Sequence, residues 1–189
     1  MPTHVSRWPR WIGRQQSLAS SVARIGQQAS ELRAFSDQRL AQCAAELKRL
    51  PAGSRPIEAS FALFYEALRR TLGIELYEVQ LEAGLVMARG AIAQMQTGEG
   101  KTFAAALPAF HFALSGEGVH VATTNAYLAQ RDSQLLSPAL QLLGCTTGVI
   151  CDGASYQQRR AAPARSPTFH QRTSTSLRYR EQRETGQHR

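Results

Sequence analysis

The apolar residues of the chain recur at two spacings, and the change from one to the other predicts an α/β fold behind a helical N-terminal part. Residues 17–50 carry apolar side chains at helical spacing, and Ser36 can cap a second helix within this stretch. A loop at 51–56 leads to a third helix that ends before Gly73. The stripes of the second and third helices are expected in the core: Leu40, Cys43, Ala44 and Leu47, then Ile57, Phe61, Phe64, Leu68 and Leu72.

Three short apolar runs in the second half of the chain predict strands. They occupy residues 91–93, 119–123 and 147–151, and the helical patterns 103–114 and 125–143 lie between them. Alternation of strand and helix at these spacings predicts parallel strands with right-handed crossovers. Ligands are then expected at the carboxyl ends of the strands.

An eight-residue segment from Met95 to Thr102, Met-Gln-Thr-Gly-Glu-Gly-Lys-Thr, lies between the first of these strands and its helix. Strand, Gly-rich turn and helix are the setting in which a phosphate loop works. Gly98 and Gly100 allow backbone conformations that turn amide N–H groups towards an anion, and the helix N-terminus adds its own. Lys101 can reach the β- and γ-phosphates, and the Thr102 hydroxyl can bind Mg²⁺. The strict pattern has Gly where Met95 stands, so a Gly-containing turn ending in Lys-Thr is the alternative.

The net charge of +8 lies at the two ends of the chain. Residues 1–30 hold four arginines and no acid, residues 163–189 hold six arginines and two glutamates, and the region between them is neutral. We therefore divide the chain into a basic N-terminal segment at 1–30, a domain at 31–162 and a basic tail at 163–189. The tail is rich in Ser, Thr, Arg and Gln without apolar periodicity, so we expect it to be disordered. Two basic tails suit an anionic partner, either a membrane surface or a nucleic acid.

The first residues interleave tryptophan with arginine. Trp8 and Trp11 lie among Arg7, Arg10 and Arg14, a composition that favours the surface of an anionic membrane. Pro9 and Gly13 argue against a regular helix here, and a solvated, disordered start is the alternative. The sequence has no run of 18 apolar residues and no secretory signal pattern. Its three cysteines lack the spacing of metal ligands and indicate reduced thiols.

Two stretches of the chain resemble the motor of the SecA family, the preprotein translocase ATPases. They read YEVQLEAGLVMARGAIAQMQTGEGKT and GVHVATTNAYLAQRD. Met-x-Thr-Gly-Glu-Gly-Lys-Thr is that family's form of the phosphate loop, which removes the objection raised by Met95. The resemblance implies a partial P-loop (RecA-like) nucleotide-binding domain with parallel strands, preceded by N-terminal helices. It is recognisable from about residue 31 and stops after Ala162, an ending that a truncated or frame-shifted gene would produce.

The resemblance also implies ligands and a role for individual residues. ATP and Mg²⁺ would be bound, with Thr102 as the Mg²⁺ ligand. Gln80 would read adenine, although the residue type alone favours a surface glutamine. Ala126 stands where the family normally has an acidic residue. The loop residues expected at ATP are Met95, Thr97, Gly98, Glu99, Gly100, Lys101 and Thr102.

Partners and location follow from the same resemblance. The family implies contact with a protein-conducting membrane channel, with preproteins and with an anionic membrane surface, and no nucleic acid is expected. The location would be cytoplasmic and peripheral, at the inner face of the cell membrane.

Two motifs needed for ATP hydrolysis are missing from the sequence. There is no Asp-Glu pair of Walker B type and no Gln-x-x-Gly-Arg segment that could supply an arginine finger. The leading interpretation is therefore the ATP-binding N-terminal portion of a SecA-like translocation motor, unable to hydrolyse ATP alone and without catalytic residues of its own. A non-catalytic nucleotide-binding or membrane-associated accessory protein is the alternative. A superfamily 2 helicase fragment is disfavoured, because a strand-tracking groove needs basic residues on the domain itself.

Overall fold

Helices make up most of the described part of the chain. The computed structural model describes residues 12–116, 118–150 and 167–171. A short 3₁₀ turn at Ala52–Ser54 separates the second and third helices. In chain order the helices and strands are α1 (Ile12–Leu32), α2 (Asp37–Arg49), α3 (Ile57–Leu72), α4 (Glu78–Ala88), α5 (Lys101–Ala113), β1 (Val119–Thr123), α6 (Ala126–Leu142), β2 (Gly148–Ile150) and β3 (Pro167–Gln171).

The ends of the N-terminal helices follow the sequence signals. The Ser36 side chain caps α2 by accepting a hydrogen bond from the Arg39 amide at 3.2 Å, as predicted. Gly73 ends α3 in the left-handed conformation, with φ 66°. One expectation is wrong, because α1 begins at Ile12 and runs through Gly13. A single glycine costs a helix only about 1 kcal/mol, and extending an existing helix by one turn is easier than starting one.

A buried carboxylate ties α3 to the two helices before it. Glu66 is 1% exposed and lies 2.8 Å from Arg69 and 2.6 Å from Arg70. Burial by itself raises the pKa of Glu66, but the hydrogen bonds from the two arginines outweigh it and leave that pKa below its usual value. Arg70 also reaches Asp37 at the start of α2 and the Leu32 carbonyl at the end of α1. The three helices are thereby fixed at one corner.

The core between α3, α4 and α5 places α4 close against the helix that follows the phosphate loop. Phe64 on α3 stacks on Phe110 of α5 with ring centroids 5.1 Å apart. Gly84 allows α4 to approach closely, since a Cβ there would lie 2.9 Å from Leu107 Cδ1 and 3.0 Å from Phe61. Both neighbours are fully buried, so neither could move aside. A glycine in mid-helix is therefore what permits the close approach of α4 to α5.

The described sheet has three strands in the order β1-β3-β2, and both pairs are parallel. Position Phe169 of β3 is opposite Val121 of β1 and Val149 of β2. β3 lies inside the tail that the sequence analysis expected to be disordered, so that expectation is wrong for Pro167–Gln171. The strand is set by tertiary contacts, since β3 lies between β1 and β2 and finds backbone hydrogen-bond partners on both sides. Such pairing does not depend on the composition of the segment.

The predicted strand at 91–93 is not formed. Residues 91–96 have no regular structure, and none of β1, β2 and β3 pairs with them. Since a strand exists only through its neighbours, an apolar run without a neighbour stays irregular. The expected order of strand, loop and helix is therefore present only from the loop onwards. No helix in the described part has both the length and the apolar character needed to cross a membrane.

Candidate nucleotide site

The Gly-rich loop has the backbone geometry of an anion cradle. Gly98 and Gly100 have φ 92° and 77°, a region that residues with a Cβ rarely adopt. Helix α5 begins directly after them, at Lys101. Within the described part of the chain, no acceptor is hydrogen-bonded to the amide N–H groups of Gly98, Gly100, Lys101 or Thr102. Unpaired N–H groups at a helix N-terminus are the groups that bind phosphate oxygens in nucleotide sites.

The lysine of the loop is held by the loop itself. Lys101 Nζ donates to the Gln96 carbonyl at 2.6 Å, and the Gln96 amide donates to Glu99 Oε2 at 2.6 Å. Glu99 therefore stabilises the turn from within. A bound phosphate must compete with the Gln96 carbonyl for the ammonium group. Thr97 is exposed at the outer side of the turn, and Met95 is half-buried just before it.

Gln80 joins α4 to the loop. Its side chain is buried, with 5% of the residue exposed, and its Oε1 accepts from the Tyr77 amide at 3.1 Å. Its Nε2 donates to the Glu99 carbonyl at 2.9 Å. A Cβ on Gly100 would collide with this Nε2. The glutamine predicted to read adenine thus lies beside the loop, and both ends of its amide already bind backbone.

Arg131 and Asp132 of α6, which were not predicted to belong to the site, contact Thr102 at the start of α5. The Thr102 hydroxyl donates to Asp132 Oδ1 at 3.4 Å, and Arg131 binds the same oxygen at 2.6 Å. Asp132 is only 7% exposed. The sequence signal for these two residues is that they are the only charged residues in α6, the next helix along the chain after α5. The pair gives the Thr102 side of the site a carboxylate and a cation.

The start of α6 carries no acid near the loop. The Asn125 side chain caps α6 by accepting from the Leu128 amide at 2.8 Å, and Ala126 follows as the first helical residue. In the described residues no group of three or more His, Cys, Asp or Glu side chains is placed to hold a metal ion. The donor set nevertheless fits Mg²⁺ that arrives with a nucleotide, because such an ion takes most ligands from phosphates and water and needs only one or two from the protein. Thr102 and Asp132 are the two residues that would hold the ion.

Comparison with known proteins points to one family. A family model described as the SecA DEAD-like domain matches residues 9–180, so the match continues past residue 162, where the resemblance was expected to stop. The protein translocase subunit SecA of Syntrophomonas wolfei is 40% identical over 158 residues, which cover 82% of this chain and 19% of that protein.

Two further relatives carry the same name. Those of Pelobacter propionicus and Rubrobacter xylanophilus are 41% and 37% identical and cover 78% and 82% of this chain. The chain spans less than a fifth of the length of each relative: 19% of the S. wolfei protein, 17% of the P. propionicus protein and 18% of the R. xylanophilus protein. A family match over most of the chain implies an α/β fold of RecA type. The chain therefore belongs to the SecA family and corresponds to its DEAD-like domain.

Proposed function

We propose that this chain is the ATP-binding N-terminal portion of a SecA-like protein-translocation motor. The observation that carries the proposal is the loop at 98–102, where unpaired amides, a positive-φ glycine pair and an ammonium group converge at the N-terminus of α5. Such a cradle suits the β- and γ-phosphates of a nucleotide. Mg²⁺ would be held by Thr102 and would neutralise part of the phosphate charge.

The proposed binding step requires a rearrangement inside the loop. Lys101 must leave the Gln96 carbonyl and turn its ammonium group to the phosphates. Thr102 must likewise turn its hydroxyl lone pair from its position beside Asp132 and Arg131 to the Mg²⁺. Lys101 is held by one exposed hydrogen bond, and Thr102 by two long ones, at 3.4 Å to Asp132 and at 3.5 Å from Arg131. A doubly charged phosphate readily outcompetes these bonds.

Base selection is proposed for Gln80. Its position next to the loop supports this role, but its Oε1 and Nε2 bind Tyr77 and Glu99. Reading adenine would require at least one of these bonds to be exchanged for the purine edge. A primary amide can donate and accept at once, so one rotation of the side chain offers both groups to the base.

Hydrolysis by this chain alone is not proposed. Glu99 is held by the Gln96 amide, and the one described arginine near Thr102, Arg131, is paired with Asp132. Phosphoryl transfer also needs a group that orients water and a cation on the developing charge. We propose that other parts of a SecA-like motor supply these groups.

The proposal extends to partners and location. By similarity to proteins named translocase subunit, the substrates would be preproteins, the partner a protein-conducting channel, and the location peripheral at the inner face of the cell membrane. The basic segment before α1 would bind anionic lipid through Trp8 and Trp11. Flotation with anionic and neutral liposomes tests this, and equal flotation after removal of residues 1–11 would contradict it.

The test of nucleotide binding is titration of a fluorescent ATP analogue against the chain and its Lys101→Ala variant. A charge-assisted phosphate bond is worth about 1.5–3 kcal/mol, so affinity should fall roughly ten- to hundredfold. Lys48→Ala, which removes the other lysine at the end of α2, is the matched control and should bind normally. Equal affinity of the wild-type chain and Lys101→Ala would refute the proposal.

A further inference from the structure

A pocket of about 380 Å³ lies between α1 and α2, with α3 behind it. The described residues that line it come from α1, α2, α3 and the turns that follow α1 and α2. We call it the α2 pocket; its apolar lining includes Leu32, Phe35, Leu47, Leu50, Ala62 and Leu63. Its volume falls in the range of sites that bind small organic molecules.

The apolar surface of the α2 pocket is only partly covered. Ala62 and Leu63 of α3 are 0% and 2% exposed. Phe35 and Leu50, which also line the pocket, are 37% and 40% exposed. An apolar body placed in the pocket would remove these two side chains from water, which is favourable in proportion to the apolar area buried.

Two carboxylates from different walls give the opening of the pocket a negative charge. Glu31 of α1 and Glu46 of α2 both line it and are exposed. Within the described residues, Glu31 accepts a hydrogen bond from the uncharged Gln27 at 3.2 Å and forms no ion pair. Glu46 is paired with Arg39 at 2.8 Å. Two carboxylates against one guanidinium group leave a net negative charge, which favours a cationic ligand.

A buried oxygen on the α1 wall of the pocket lacks a hydrogen-bond donor. In the described part of the chain, Gln28 Oε1 is buried without a hydrogen-bond partner, and Gln28 lines the pocket. A buried acceptor that is left unpaired is unfavourable. Gln28 lies three residues before Glu31 and therefore on the same face of α1. Because the terminal torsion of a glutamine is soft, the Gln28 amide can turn its oxygen towards a donor held at Glu31.

We propose that the α2 pocket binds a small organic cation, a molecule with an aromatic or aliphatic body and one ammonium group. The body packs against the apolar walls and covers Phe35 and Leu50. The ammonium group lies at the opening, between Glu31 and Glu46, and donates to Gln28 Oε1. The pocket shares no residue with the loop at 95–102, so this inference does not depend on nucleotide binding.

The experiment is an amide NMR titration of the ¹⁵N-labelled chain with naphthylethylamine. Naphthylethanol has the same shape without the charge, and naphthylacetate carries the opposite charge. At the binding energy per atom of ordinary ligands, the amine should bind with a Kd on the order of 1 mM and shift the amides of the lining residues. The alcohol should bind roughly fivefold more weakly, because it lacks the ion pair, and the acetate more weakly still.

Variants locate the site and separate its two parts. Ala59→Phe places a ring in the pocket from α3 and should abolish binding of the amine and of the alcohol. Glu31→Gln combined with Glu46→Gln should remove the preference for the amine and leave binding of the alcohol unchanged. Glu75→Gln, which changes an exposed carboxylate outside the pocket, is the matched control and should keep the preference.

Protection of a thiol gives a second measurement. Cys43 lines the pocket and is half-buried, whereas Cys145 is buried outside it. The amine at saturation should slow alkylation of Cys43 by N-ethylmaleimide several-fold and leave the rate at Cys145 unchanged. Mass spectrometry of the separate peptides measures both rates in one sample.

The inference is overturned if the amine shifts none of the lining amides or binds no better than naphthylacetate. Unchanged amine affinity in folded Ala59→Phe also overturns it. If Ala59→Phe does not fold, the glutamate variants decide, since an undiminished preference for the amine without Glu31 and Glu46 contradicts the proposed site. Shifts of the lining amides with protein concentration alone would assign the pocket to a second copy of the chain and overturn the inference as well.

Discussion

Replacing Gly100 by alanine tests the link between the loop and α4. At φ 77° an alanine is strained by about 1–2 kcal/mol. Its Cβ would also displace the Gln80 amide from the Glu99 carbonyl, a hydrogen bond worth about 1 kcal/mol. Together about 2–3 kcal/mol oppose the loop conformation that binds phosphate. If this cost falls on binding, affinity for a fluorescent ATP analogue should drop roughly 30- to 150-fold.

Gly98→Ala is the matched control, because Gly98 has a similar φ of 92° but nothing within 4 Å of the added Cβ. Strain alone should then weaken binding by roughly tenfold. Gly116→Ala adds the same kind of strain at the far end of α5 and should lower stability without changing affinity. The reasoning is refuted if Gly100→Ala binds as tightly as Gly98→Ala, provided that circular dichroism shows both variants folded.

Three further outcomes follow from named contacts. Gln80→Ala should weaken ATP more than GTP in competition titrations, whereas an equal loss would assign the residue to loop structure alone. Glu66→Gln should lower the free energy of unfolding in urea by about 2 kcal/mol, because it removes a buried charge from its two arginine partners, which are themselves partly exposed. Glu75→Gln breaks the exposed ion pair with Arg33 and should lower the free energy of unfolding by less than about 1 kcal/mol. Burial, and then the nearby Arg55, lower the pKa of His111, which lies 2.7 Å from Ser60 Oγ. Neutral His111 therefore contributes stability above about pH 6.5 that is lost as pH falls below it, and His111→Gln should abolish that component of the unfolding profile.

The helices and their ends could be predicted from the sequence because their signals are local. Ser36 caps α2, Gly73 ends α3 and Asn125 caps α6, each through contacts within four residues. The conformation of the loop was predictable for the same reason, since glycine at 98 and 100 permits the positive φ found there. Periodicity also assigned β1 and β2 correctly to within a residue or two.

The rest depended on long-range contacts that no local pattern records. The strand expected at 91–93 has the right composition but no neighbour, and β3 has the composition of a disordered tail but two neighbours. The position of Asp132 beside Thr102 depends on how α6 packs against the start of α5, thirty residues away in sequence. Gln80 reaches the Glu99 carbonyl across the packing of α4 on α5, where Gly84 permits a close approach.

The side chains of the phosphate loop are hydrogen-bonded to the loop's own backbone, and these bonds oppose nucleotide binding. Lys101 holds Gln96, Glu99 holds the same residue from the other side, and Gln80 holds Glu99. A nucleotide exchanges these contacts for its own, so part of its interaction energy is spent on opening the loop. Affinity in the isolated chain is therefore expected to be lower than in a protein that holds the loop open.

The most direct test of the account is an amide NMR titration of the ¹⁵N-labelled chain with Mg·ATP. The account predicts that the largest shifts occur at the unpaired amides of Gly98, Gly100, Lys101 and Thr102. In Lys101→Ala the same shifts should require roughly ten- to hundredfold more Mg·ATP. Asp132 should shift less, since it is reached only through Thr102. Saturable binding with the largest shifts elsewhere, or shifts at the loop that persist unchanged in Lys101→Ala, would contradict it.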